Sequence, residues 1–185
     1  MNRIFFAAPF TETLAPDGMC ASPFRGLLSA IRSTLVIAGY DVFLAHEREK
    51  WGAALLPADY CTPLDLDELR RSEAVVALPR CSGGVHIELG WASALRKPIL
   101  LLLEPGYDYS PLVHGLHTVT VAKSIPFHGT ESCREVAVAL QALLHEHARL
   151  GTSTSIAAGM SRADAPPADR ASGGWRSDEP AALNE

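Results

Sequence analysis

Short, largely apolar runs alternate along this chain with longer stretches in which apolar residues recur every three or four positions. The runs have strand length: Arg3 to Ala8, Tyr40 to Leu44, Glu73 to Leu78 and Pro98 to Leu103. A run without polar alternation predicts a strand buried on both faces, as in a parallel sheet covered by helices. Leu27, Leu28, Ile31, Leu35 and Ala38 predict a helix over 24–38, stopped at Gly39. Ala45 to Leu56 reads as mixed and helical, and Pro57 to Arg71 as a helix with Leu64, Leu66 and Leu69 inward. Ile87, Leu89, Ala92 and Leu95 predict a helix after the third strand. Val136, Leu140, Leu143 and Leu144 predict a long terminal helix over 130–150. His117 to Ala122 alternates and is expected to form a fifth strand.

This order predicts an α/β fold: a doubly wound, mostly parallel five-stranded sheet flanked by helices, of the Rossmann or flavodoxin kind. It is expected to occupy residues 1–150. From Gly151 the periodicity stops, and 151–185, rich in Ser, Thr, Ala, Gly, Pro and Asp, is expected to be a disordered tail.

Ligands of such sheets sit beyond the carboxyl ends of the strands. Ser82, Gly83 and Gly84 fall there, between the third strand and its helix. Free N–H groups at a helix start favour anions, and glycines allow close approach of a ligand. Glu88 is expected in the first turn of the helix, where the helix end would favour its ionised form. The plainer alternative is that Glu88 complements the helix dipole and the glycines turn the chain. Other polar residues at strand ends are Asp65, His46 and Arg48. Two carboxylates about one centre can serve as nucleophile and general acid; a separation of about 5 Å allows a retaining glycosyl mechanism. Asp65 also reads as part of the acidic surface Leu64-Asp65-Leu66-Asp67-Glu68.

Composition narrows the functions. The chain has 185 residues, one domain's worth, and a net charge of −5, which argues against a general nucleic-acid binder. No apolar run approaches a membrane span, and Met1 to Phe6 runs into a strand rather than a signal peptide. Cys20, Cys61, Cys81 and Cys133 are scattered without metal-ligand spacing, so free thiols, no metal and a cytoplasmic location are expected. The first strand ends in Ala7-Ala8-Pro9-Phe10, with neither a dinucleotide fingerprint nor a P-loop, so no cofactor is expected.

Ser82-Gly83-Gly84-Val85-His86-Ile87-Glu88-Leu89-Gly90-Trp91-Ala92, followed by Lys97-Pro98-Ile99-Leu100, resembles the signature of the nucleoside 2-deoxyribosyltransferase superfamily. Ile4 to Pro9 and Leu64 to Ala77 extend the resemblance over most of residues 1–150. Ala45-His46-Glu47-Arg48-Glu49-Lys50-Trp51-Gly52 and Leu101-Leu102-Leu103-Glu104 are similar to the pyrimidine nucleotide N-glycosidases of peptidyl-nucleoside antibiotic pathways, the CMP and hydroxymethyl-CMP hydrolases of the mildiomycin and blasticidin type.

The resemblance implies that Glu88 attacks the anomeric carbon and forms a glycosyl-enzyme, while Asp65, the best match, or Asp67 in a second register, handles a proton. Nucleoside transferases of the superfamily carry an acidic residue six positions before the glutamate, for a free 5′-hydroxyl. Nucleotide hydrolases carry a small hydroxyl residue there, for the phosphate, and here it is Ser82. Ser82 and Gly84 are then expected at the phosphate, His46 and Arg48 at the sugar or phosphate, and Phe10 against the base. Phe5 and Ala7 are expected to line the substrate site from the first strand. Ser110 matches a position that a neighbouring subunit contributes, which implies a homodimer with shared sites. Two departures stand out: Phe5 replaces a tyrosine that orients the glutamate in many members, and Thr11 stands where the CMP hydrolases carry an arginine. The activity implied is hydrolysis of the N-glycosidic bond of a pyrimidine nucleoside 5′-monophosphate, CMP or a 5-substituted CMP, to free base and (deoxy)ribose 5-phosphate. The alternatives are a nucleoside 2′-deoxyribosyltransferase and a non-catalytic nucleotide-binding sensor. Neither a nucleic-acid nor a membrane partner is expected.

Overall fold

The computed structural model describes residues 2–160. Five strands, β1 (Arg3–Ala7), β2 (Asp41–Phe43), β3 (Ala74–Ala77), β4 (Ile99–Leu103) and β5 (Ala122–Pro126), form one sheet in the order β2-β1-β3-β4-β5. Every neighbouring pair is parallel. Six helices connect and cover them: α1 (Ser22–Ile37), α2 (Ala45–Arg48), α3 (Ala58–Arg71), α4 (Gly83–Ala94), α5 (Pro111–His114) and α6 (Cys133–Met160). This is the doubly wound α/β architecture that the sequence predicts, with the flavodoxin-like strand order. The tail expected after Gly151 lies, from residue 161 on, outside the described residues.

Alternate residues of the inner strands face opposite helical layers, which is why β3 and β4 are apolar throughout and β1 is apolar after Arg3. Ile4, Phe6, Val76, Leu100 and Leu102 pack with Leu28, Ile31 and Leu35 of α1 and Val136, Leu140 and Leu143 of α6. Phe5, Ala7, Val75, Ala77 and Leu101 pack on the other face with Leu69 of α3 and Val85, Leu89 and Ala92 of α4.

Three expectations are corrected. The fifth strand is Ala122–Pro126, not 117–122. Ser110 and Pro111 start α5, the Ser110 hydroxyl accepting from the Leu112 N–H, and a 3-10 turn at Gly115–Thr118 continues it and buries Leu116. The real strand lies at the sheet edge, is half exposed and reads Ala-Lys-Ser-Ile-Pro, so it carries no apolar run. Leu64 is 44% exposed, because α3 turns a different stripe inward, with Cys61 and Asp65 towards a cavity and Glu68 towards Arg3 (2.9 Å). Ile87 and Leu95 are also exposed; α4 buries Leu89 and Ala92 as expected, with Val85 beside them.

Candidate active site

The chain leaves β1 towards one edge of the sheet, through β2, and β3 towards the other. The carboxyl ends of β1 and β3 therefore splay their loops apart, leaving a crevice at the topological switch point. A cavity of about 340 Å³ fills it. Ala8, Phe10 and Glu12 line it from the loop after β1, Cys61 and Asp65 from α3, and Ser82, Gly84 and Glu88 from the start of α4. Glu49, Leu55 and Leu56 complete the wall. A larger groove of about 800 Å³ lies between the end of α1 and α6, away from the strand ends.

Tight local geometry fixes the loops. Ser82 is the N-cap of α4, yet its hydroxyl makes no capping bond; it donates instead to the Glu12 carboxylate at 3.3 Å. A Cβ on Gly84 would meet only Ser82 Oγ, at 3.9 Å, so the protein's own packing does not require the glycine and the space in front of it is open to a ligand. Arg80 forks onto Glu104 through two bonds, 2.6 and 2.7 Å, tying the loop after β3 to that after β4. The loop after β1 rests on the segment after α2. His46 is 1% exposed, stacks under Phe10 with ring centroids 4.3 Å apart, and donates from Nε2 to the Pro9 carbonyl at 2.9 Å. Lys50, Trp51 and Gly52 all take positive φ. This tight turn brings the Trp51 carbonyl to the Cys20 N–H (2.8 Å) and seats Gly52 against the Gly18 backbone, where a Cβ would come within 2.2 Å of an oxygen.

The charges form one network. Arg48 bridges Asp65 and Glu49, each at 2.6 Å, from behind the cavity wall. Burial raises the Asp65 pKa, while the Arg48 hydrogen bond and charge oppose the rise. Glu88 is pushed up to about 8, first by burial and then by the negative charge of Asp65, with Arg48 pulling weakly the other way. The expected first-turn placement of Glu88 is corrected: it is the sixth residue of α4, beyond the first turn where the helix end acts, and removal from water prevails. Burial lowers His46 to about 4, so it is neutral at pH 7. Among the described residues, no group of three His, Cys, Asp or Glu is placed to hold a metal ion, and no helix is long and apolar enough to cross a membrane.

Solved structures of known proteins are similar to this chain in overall fold. The CMP N-glycosidase BcmB of Clostridium botulinum is 28% identical, over 74% of this chain and 98% of its own, with a TM-score of 0.58. A 2-deoxyribosyltransferase of Bacillus psychrosaccharolyticus is 17% identical, over 71% and 90% of the two chains, with a TM-score of 0.49. A protein named BlsM, solved in solution, is 34% identical over 77% of this chain and 91% of its own, with a TM-score of 0.68. A third of positions identical over nearly all of that protein decides the family. The chain belongs to the nucleoside 2-deoxyribosyltransferase superfamily. No protein-family model matches it, and no curated protein matches it by sequence.

Of the residues that the superfamily signature singles out, the structure brings Glu88, Asp65, Phe10, Ser82 and Gly84 to one cavity. The others lie elsewhere. Phe5 and Ala7 are each 1% exposed and sit in the core between β1 and α4, and their neighbour Ala8 reaches the cavity instead. His46 supports Phe10 from beneath, and Arg48 holds Asp65 from behind. Ser110 is exposed at the start of α5, beside a separate apolar groove. Glu12, Glu49, Leu55, Leu56 and Cys61 were not foreseen.

Proposed function

We propose that this chain is an N-glycosidase that hydrolyses the bond between base and sugar in a pyrimidine nucleoside 5′-monophosphate. The observation that carries the reading is the meeting of Glu88 and Asp65 with Ser82 and Gly84 in one cavity, in a chain 28% identical to nearly all of a CMP N-glycosidase. Phe10 offers a ring face to the base. The start of α4 offers N–H groups and a hydroxyl to the 5′ end.

In this reading a Glu88 oxygen forms a bond to C1′ as the C1′–N bond breaks. The electron pair leaves with the base, which takes a proton from the Asp65 carboxyl. Water then attacks C1′, the Glu88 oxygen departs with the ester pair, and Asp65 takes the proton of the water. Positive charge growing on the sugar stabilises the ionised form of Glu88 at that moment, which suits a carboxylate otherwise reluctant to ionise. Arg48 keeps Asp65 aimed at the cavity and tempers the charge of the carboxylate pair. Ser110 of a second copy completes the 5′ end, so the active form is a homodimer.

The test is base release from CMP, dCMP, UMP, dUMP, AMP and GMP, each beside its nucleoside, with Glu88→Gln as control. Release from pyrimidine monophosphates, lost in the variant, with a glycosyl adduct on Glu88 seen by mass spectrometry, is the expected result. Turnover only when a second base is added makes the chain a transferase. Binding without turnover makes it a sensor.

A further inference from the structure

We propose that Glu12 is a specificity-determining residue of this site: it holds the Ser82 hydroxyl and sets a carboxylate beside the 5′ end of the substrate, weakening the preference for a 5′-phosphate. The proposal rests on the N-glycosidase reading only for which end of the substrate meets Ser82.

Ser82 is 3% exposed, and its hydroxyl is committed to Glu12 rather than to the end of α4. Any group that takes the Ser82 proton must displace this carboxylate or share the hydroxyl with it. The turn carrying Glu12, Thr11–Thr13, is not free to drift. Thr13 Oγ1 donates to the carbonyls of Phe10 (2.7 Å) and Pro9 (3.2 Å), and the Ala21 N–H donates to the Thr13 carbonyl (3.0 Å). The residues lining the cavity include Glu12, Glu49, Asp65 and Glu88, and no Lys, Arg or His is among them. Arg48, the charge behind the wall, already holds two carboxylates at 2.6 Å. Thr11 supplies no cation from the loop.

A phosphate dianion entering here meets the N–H groups of α4 on one side and a fixed negative charge on the other. Like charges a few ångströms apart repel by about thermal energy or more even beside water. A neutral 5′-hydroxyl is not repelled; it can donate to Glu12 and accept from Ser82. Glu12 therefore works against the selection that Ser82 makes, and the site takes free nucleosides more readily than its serine alone predicts.

The experiment measures binding of CMP and cytidine by calorimetry to the wild type and to Glu12→Gln, with base release followed in the same samples. Glu12 is exposed, so the variant leaves the fold intact. The expected result is that Glu12→Gln tightens CMP by about tenfold while cytidine stays within about twofold, the gain shrinking as salt is raised. An unchanged ratio of the two affinities, an equal change in both, or no measurable CMP binding to either protein overturns the proposal. Base release from neither compound, with the affinities moving as expected, overturns the N-glycosidase reading and leaves the role of Glu12 standing.

Discussion

Enclosed between α3 and the loop after β1, Glu88 gives up a proton less easily in the folded chain than in water, and the charge of Asp65 makes it harder still. Attack on C1′ needs Glu88 ionised while the departing base needs the Asp65 proton, so kcat/KM is expected to pass through a maximum with pH, rising as Glu88 ionises and falling as Asp65 loses its proton, measured by base release over pH 5 to about 9. The same shift bears on stability. From the ordinary value of 4.5 up to about 8 the folded chain keeps a proton that the unfolded chain has lost, so stability contributed by this group falls as pH rises through that window. Glu88→Gln cannot ionise. Its melting temperature, relative to wild type, is expected to climb between pH 5 and pH 8.5 in thermal unfolding, while base release falls ~10³-fold or more. A gap that does not change with pH would show Glu88 to be ionised throughout. The position of Glu88 was legible from the glycine-bearing loop ahead of it. Its proton was not, because the burial and the Asp65 charge come from segments distant in sequence. Glu12 was hidden for the same reason: nothing in Phe10-Thr11-Glu12 says that Ser82, 70 positions on, gives it a hydrogen bond.

The first four strands, and the helices with a clean stripe, were legible because burial on one or both faces leaves a period in the sequence. What escaped was decided by polar or local forces: the edge strand Ala122–Pro126, and the inward face of α3, which carries Asp65 and Glu68 rather than Leu64. The segment from Ala45 to Gly52 joins the two cases, since its His, Arg, Trp and Gly each support the site without lining it. Gly52 has φ of 105° and a Cβ there would stand 2.2 Å from the Gly18 oxygen, so Gly52→Ala forces the loop after β1 off its seat. A loss of about 2 kcal/mol or more in denaturant unfolding is expected, with substrate affinity falling as Phe10 and Glu12 shift. Arg48→Met removes the one cation shared by Asp65 and Glu49. Both Asp65 and Glu88 lose a charge that favours ionisation, so the rising limb of the activity profile is expected to move to higher pH. Loss of stability alone would lower activity evenly and leave that limb where it is.

The proposed sharing of Ser110 between copies sets an expectation for the whole molecule. Ser110 caps α5 from an exposed position and does not line the Glu88 cavity. Beside it runs a second cavity of about 400 Å³, walled by Leu89 and Gly90 of α4 and by Leu112, Val113, Leu116 and Val119. Leu112 is 83% exposed and Val119 55% exposed, an apolar edge next to a residue whose proposed role lies in another copy's site. If α4 and α5 of two copies pack together here, burying that edge drives association and carries each Ser110 towards the partner's α4. The protein is then expected to sediment at twice its chain mass of 19.8 kDa. Leu112→Glu, which places a charge on the edge without touching the Glu88 cavity, is expected to give a monomer that melts normally but has lost most base release. Sharing is read by mixing. Glu88→Gln and Ser110→Ala chains, unfolded and refolded together, form mixed dimers in which one site draws an intact Glu88 and an intact Ser110 from different chains. About a quarter of all sites in an equal mixture are then complete, so activity exceeds the mean of the two parents. If each chain uses its own Ser110, no such site arises and the mixture stays at that mean.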